Sequence, residues 1–218
     1  LQKLYAHGRL AVELSAEAGL RVCELLQLTA DDIETTKRHI RVDWQICDKQ
    51  TKGHASRRVP PKHGSVRTAA YQRRSQTGFD LGQAMIARVR EAKLEFADGS
   101  NPEALLFPHP TAQRLFWYTE WKNDFVKPAT LKAGWRNETF EQTYRQLDKK
   151  AGKFVTRIRT VTQFDLTWHS LRHRFARTAL DVLGLSPAQL TIVGGWKNVQ
   201  TVMDRYYKPG EEHLVAAL

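Results

Sequence analysis

The sequence has little that could cross-link or anchor a chain. Only two cysteines, Cys23 and Cys47, occur among 218 residues, each in an apolar-patterned segment, which argues against a disulfide framework and for a reducing interior. No apolar run approaches the roughly 18 residues needed to cross a bilayer, and residues 1–9 lack the charged-then-apolar order of a secretory leader. Glycine-rich phosphate loops of the Walker or dinucleotide type are missing, as is any cysteine and histidine spacing of a zinc site, so no cofactor or metal is expected. Repeats and low-complexity tracts are missing too. A hydrophobic fraction of 41% excludes a disordered chain, and the length suffices for a core without staples.

Carboxylates are scarce where cations crowd. From Lys49 to Arg74 the chain carries Lys49, Lys52, Arg57, Arg58, Lys62, Arg67, Arg73 and Arg74 with no Asp or Glu, among Gly, Ser, Thr and Pro. That pattern reads as a loop-rich surface able to follow a phosphate backbone. Over the whole chain, 34 Lys and Arg against 23 Asp and Glu leave a net charge of +11. Net charge by itself fits nucleic acid, an anionic membrane or an idle basic surface.

The sequence starts without Met, directly in a helical pattern, and reads as a domain cut from a longer protein. Leu4, Leu10 and Leu14 suit a first helix ending at Gly19; Val22, Leu25 and Leu26 start a second. Ile40, Val42, Trp44 and Ile46 alternate with polar residues and predict one half-buried strand. Thr51 to His54 supplies a turn, and Arg57 to Val59 pairs back until Pro60 and Pro61 stop it. Leu81, Met85, Val89, Ala92 and Phe96 mark the clearest amphipathic helix. Trp117 to Phe125 reads as helical, and residues 111–137 as an insertion. Phe140, Tyr144, Leu147 and Ala151 make a helical stripe closed by Gly152, and Leu171, Phe175, Ala179 and Val182 another closed by Gly184. Ser186 and Pro187 open the next helix as N-cap and first residue, and Asn198 opens the last. Helices, a small antiparallel sheet, then helices predict an α+β, mostly helical, single domain over 1–218.

Taken singly, the candidate residues have ordinary accounts. Arg21 and Glu24, one helical turn apart, suit an exposed ion pair; Lys52 suits a surface turn, and Tyr206 the apolar stripe of the last helix. His169 and His173 have a two-ligand spacing, yet Ser170, Leu171 and Arg172 stand between them, and a cation is a poor neighbour for a metal.

Three segments change that account together. Gly19-Leu20-Arg21-Val22-Cys23-Glu24-Leu25-Leu26-Gln27-Leu28, then Trp168-His169-Ser170-Leu171-Arg172-His173, then Gly195-Trp196 with Tyr206 ten residues on, occur in one order. This order resembles the tyrosine recombinases, also called phage integrases. Residues 49–61 resemble the family's lysine-bearing β-hairpin, 104–108 its leucine-phenylalanine-proline marker, and 144–152 the helix before the histidine box. Two features depart from the commonest pattern: Trp196 stands where most members have histidine, as in one branch of the family, and Tyr207 is a fallback for Tyr206.

The resemblance implies a site-specific DNA recombinase that cleaves and rejoins strands through a 3′-phosphotyrosine, without metal or ATP. Tyr206 would be the nucleophile; Arg21 and Arg172 would bind the phosphate oxygens, and His169 and Trp196 would add hydrogen bonds, with His169 as base. Lys52, in preference to Lys49, would be the general acid, and Glu24 and His173 would support. Lys49, Arg57, Arg58 and Lys62 would contact DNA. It also implies double-stranded DNA as partner, a tetramer on two sites, an N-terminal DNA-clamping domain outside this chain, a tail after Pro209 docking on a neighbour, and a cytoplasmic setting in a bacterium or phage. The alternatives it leaves are a DNA-binding protein that has lost strand transfer, and a type IB topoisomerase or telomere resolvase.

Overall fold

The computed structural model describes residues 5–47, 57–148 and 151–207. Lys49, Lys52, the turn at 51–54 and the tail after Pro209 lie outside them.

Helix α1 (Gly8–Ala18) ends where Gly19 takes a left-handed conformation (φ 63°). A side chain there would also collide with Phe175, so glycine is required twice over: for its backbone and for the close approach of a later helix. The short α2 (Val22–Leu25) follows with Arg21 as its N-cap residue and Glu24 in its first turn. Strands β1 (Ile33–Glu34), β2 (His39–Val42) and β5 (Arg67–Ala70) form an antiparallel sheet in the order β1-β2-β5. β3 (Gln45–Ile46) pairs instead with β4 (Arg58–Val59), Gln45 opposite Val59. The single strand expected over 40–46 is therefore two, broken at Asp43 and Trp44. Its second half leaves the sheet for a separate pair.

Helix α3 (Leu81–Ala97) has Asp80 as N-cap, whose side chain accepts from the Gln83 amide. It buries Leu81, Met85, Val89 and Ala92 against the main core with α1, α2 and the sheet. Within residues 111–137, read from sequence as an insertion, Leu115, Phe116 and Trp121 are part of that core. α4 (Tyr118–Glu120) runs through a π-helical stretch (Trp121–Val126) into α5 (Lys127–Lys132).

The stripe at 140–151 is not a helix. Residues 137–164 form an antiparallel ribbon of β6 (Asn137–Asp148) and β7 (Lys153–Phe164), paired from Asn137 opposite Phe164 to Asp148 opposite Lys153. The cause is β-branching: Thr139, Thr143, Val155, Thr156, Ile158, Thr160, Val161 and Thr162 favour extended backbone. Gly152 (φ 63°) turns the chain, its amide bonding to the Asp148 carbonyl at 2.8 Å.

A second, smaller core joins α6 (Trp168–Asp181), α7 (Pro187–Gly194) and α8 (Val199–Arg205) through Phe175, Ala176, Ala179, Leu190, Val202 and Tyr206. Ser186 and Asn198 cap α7 and α8 as expected, accepting from the Gln189 and Thr201 amides. α6 lies against α1 at Gly19 and Phe175, which sets the two cores side by side.

Candidate active site

The seam between the two cores gathers charged side chains that a folding chain would ordinarily leave in water. Glu24 is completely buried and is gripped from two sides. Arg67 holds it bidentately, Nη1 to Oε1 at 3.1 Å and Nη2 to Oε2 at 2.8 Å. Arg21 donates its Nη1 to Oε1 at 2.6 Å and its backbone amide to Oε2 at 2.9 Å. Burial alone would raise the Glu24 carboxyl, but the hydrogen bonds and charge of Arg67, with Arg21 in support, hold it below the ordinary carboxylate range. Glu24 is thus a fixed anion that aligns two guanidinium groups.

The same two arginines pin the turn after α7. Arg67 Nε donates to the Val193 carbonyl at 3.0 Å, and Arg21 Nη2 to the Gly195 carbonyl at 2.7 Å. Gly195 is left-handed (φ 68°), and a Cβ on it would meet the Arg67 guanidinium at 2.8 Å. Trp196, the next residue, is placed by this clamp.

Arg172 is 2% exposed. Its Nη1 donates to the Gly19 carbonyl, its guanidinium lies 3.9 Å from the Trp196 ring centre, and its Nη2 has no hydrogen-bond partner among the described residues. Burial, and then the charge of Arg21, pushes this guanidinium down to about 9, so it remains charged at neutral pH. A buried cation with an unused donor is a site prepared for an anion.

Tyr206 closes α8 and is 3% exposed, its ring 5.5 Å from that of Trp196 and 5.4 Å from that of His173. Burial raises its hydroxyl above the ordinary phenol value, and Arg172 and Arg205 oppose that rise. The Trp196 side chain acts in the same direction as the arginines, at a geometry short of a full hydrogen bond. His169 lies on the exposed rim, its ring 4.7 Å from that of His173. Both imidazoles are lowered from their usual value, first by partial burial and then by neighbouring positive charge, from Arg172 and Arg205 in each case. They are therefore neutral, and able to accept a proton, at pH 7. Tyr207 is 47% exposed and stands outside this cluster.

The structure brings together Arg21, Glu24, His169, Arg172, His173, Trp196 and Tyr206, all singled out from sequence. It gives other roles to two of the expected DNA contacts. Arg57 donates to the Leu115 and Phe116 carbonyls and stacks on Trp117 at 3.5 Å, and Arg58 pairs with Glu103 at 2.6 Å. Lys62 is exposed on a short 3-10 turn. The basic stretch 49–74 is consequently not one free surface: these two arginines and Arg67 face protein. Arg67 and Arg205 are the site residues that sequence reasoning missed. A signal for Arg67 existed, since it shares the inward phase of β5 with the buried Ala69 and Tyr71, and a charge in that phase needs a buried partner.

Among the described residues no cluster of three metal-binding side chains occurs, and no helix is long and apolar enough to cross a membrane.

This α+β arrangement is the catalytic fold of the tyrosine recombinases. The phage integrase family matches residues 1–213, and the chain belongs to that family. The chain is similar to the Tn1549 transposon integrase bound to a circular-intermediate DNA, at 18% identity and a TM-score of 0.65, covering 99% of this chain and 58% of that one. The same integrase with transposon right-end DNA gives 17%, 0.64, 98% and 58%. XerA recombinase gives 18%, 0.55, 97% and 55%. At such identities the likeness is one of fold, and this chain spans less than two thirds of each of these. No curated protein sequence matches.

Proposed function

We propose that the protein is a site-specific DNA recombinase or integrase that cuts and rejoins strands through a 3′-phosphotyrosine on Tyr206. The observation that carries this reading is the unused donor of buried Arg172 beside Arg21, with the Tyr206 hydroxyl buried next to it. Attack on a phosphodiester adds negative charge to the non-bridging oxygens, and fixed guanidinium forks meet that charge at no reorganisation cost. The Tn1549 integrase complexes with DNA support DNA as the partner.

In this reading the Tyr206 oxygen attacks phosphorus and its proton passes to the histidine pair. His173 touches the tyrosine ring, and His169 lies one ring beyond, at the rim. The bond from phosphorus to the 5′ oxygen breaks, and that oxygen takes a proton from Lys52, or from Lys49 as the fallback. The tyrosyl ester conserves the phosphoester bond, so rejoining needs neither ATP nor a metal. Two DNA sites would be held by a tetramer.

The test uses a nicked duplex carrying the sequence the protein selects from random DNA, with covalent adducts read on a denaturing gel. Wild type and Tyr207→Phe are expected to form the adduct, and Tyr206→Phe none. An adduct in Tyr206→Phe would move the nucleophile, and DNA binding without any adduct in wild type would favour a binding protein that has lost strand transfer. Relaxed plasmid or hairpin ends as the only products would indicate a topoisomerase or resolvase.

A further inference from the structure

The β6–β7 ribbon is unusual for its length and for what it leaves uncovered. Its strands are 12 residues each, about twice the usual strand, and none of their side chains is buried and most are exposed. An isolated two-stranded ribbon is marginal in water unless another surface covers it. At about 3.4 Å per residue the ribbon extends roughly 40 Å, more than the roughly 34 Å of one turn of duplex DNA.

Its charge is segregated along its length. The half nearest the body, residues 137–142 with 159–164, holds Glu138 and Glu141 against Arg159 alone. The far half, residues 143–148 with 153–158, holds Arg145, Lys153 and Arg157 against Asp148 alone. No described carboxylate pairs with Arg145, Lys153, Arg157 or Arg159.

The register sorts these residues by face. Gln142 opposite Arg159, Tyr144 opposite Arg157 and Asp148 opposite Lys153 share one face. Here Arg159 donates to the Gln142 side chain at 2.7 Å and lies 5.1 Å from the Tyr144 ring centre, so its guanidinium is held on this face. Leu147 opposite Phe154 and Thr143 opposite Ile158 share the other face, with Arg145 over Phe154. The base of β7, at Val161 to Phe164, borders a cleft with Tyr118, Lys127 and Trp168, one residue before His169. The ribbon leads after Phe164 into α6, the helix that carries His169, Arg172 and His173.

We infer that the Gln142, Tyr144, Lys153, Arg157 and Arg159 face of this ribbon is an accessory DNA-binding arm that lies along duplex DNA flanking the cleavage point. Charge complementarity favours this occupant: a row of unpaired cations matches phosphates, and a two-stranded ribbon fits a major groove about 12 Å wide. Guanidinium and amide groups on that face are also those that read base edges. The inference rests on the recombinase reading for its partner, not for its geometry.

The test is a salt titration of binding to a random-sequence duplex of roughly four helical turns, with Lys153→Gln/Arg157→Gln/Arg159→Gln compared with Leu147→Ser/Phe154→Ser/Ile158→Ser. Each phosphate contact contributes about 0.9 to the slope of log affinity against log salt, so the cationic-face variant should lower the slope by about 2 to 3 and the apolar-face variant should leave it unchanged. An unchanged slope in the cationic-face variant overturns the inference. Loss of self-association in the apolar-face variant, with the slope unchanged in both, identifies the ribbon as a protein interface and also overturns it. If the triple variant misfolds by circular dichroism, Arg157→Gln alone should shift the slope by about 1. Wild type that shows no DNA binding at all contradicts the recombinase reading instead, so the two failures are distinguishable.

Discussion

Glu24 shows how much of this site depends on one residue without contact to any reacting atom. Its carboxylate is held ionised against burial by Arg67 and Arg21, so its contribution to stability is complete above the ordinary carboxyl value of 4.5 and is lost as pH falls through its lower folded value. Removing the anion leaves two facing cations, one of them buried. Glu24→Gln should cost about 3 to 5 kcal/mol, read as a shifted denaturant midpoint, and should flatten the acid side of the stability profile. Arg67 extends the argument to function. Arg67→Met should slow adduct formation on the order of tenfold, about 1.4 kcal/mol, with little change in DNA affinity; a proportional loss of both would mean that Arg67 serves only the fold. For the histidines the sign is opposite to that of a raised group. Both are lowered from 6.5, so cleavage should fall as pH drops below that value and the rings become charged. If His173 takes the tyrosine proton first, His173→Gln should remove this acid limb more completely than His169→Gln.

At the scale of elements, legibility followed the range of the interactions. Helices α3, α6, α7 and α8 were readable because apolar spacing and the caps Ser186 and Asn198 are local signals. The three motif boxes are each contiguous in sequence and marked Arg21, His169, Arg172, Trp196 and Tyr206. Pairing between distant strands was not readable. Four apolar residues at 140–151 fit a helical stripe only while the threonine, valine and isoleucine of the facing strand are ignored. Arg67 was hidden for a related reason, since its partner Glu24 is 43 residues away. Arg57 and Arg58 looked like free cations because the carbonyls and the carboxylate that hold them belong to residues 103–116. The exposed ribbon yields its own prediction. Replacing residues 143–158 by a two-residue Asn-Gly turn, next to the Gln142 and Arg159 pair, should leave the melting temperature within a few degrees, because little apolar surface is lost from either core. A large drop would show that the far half of the ribbon supports the fold.

For the whole molecule, the central relation is between two cores and the seam they enclose. α1 supplies the Gly19 carbonyl that receives Arg172, α2 supplies Arg21, the sheet supplies Arg67, and the second core supplies Trp196 and Tyr206. The site is therefore complete only when both cores have folded and docked. The most direct measurement of the central claim is a structure of the protein with vanadate, which mimics five-coordinate phosphorus, and nicked DNA. The account predicts vanadium bonded to the Tyr206 oxygen, with Arg172 Nη2 and the Arg21 guanidinium on its equatorial oxygens. Vanadate held elsewhere, or bonded to Tyr207 with Arg172 still unengaged, would contradict it.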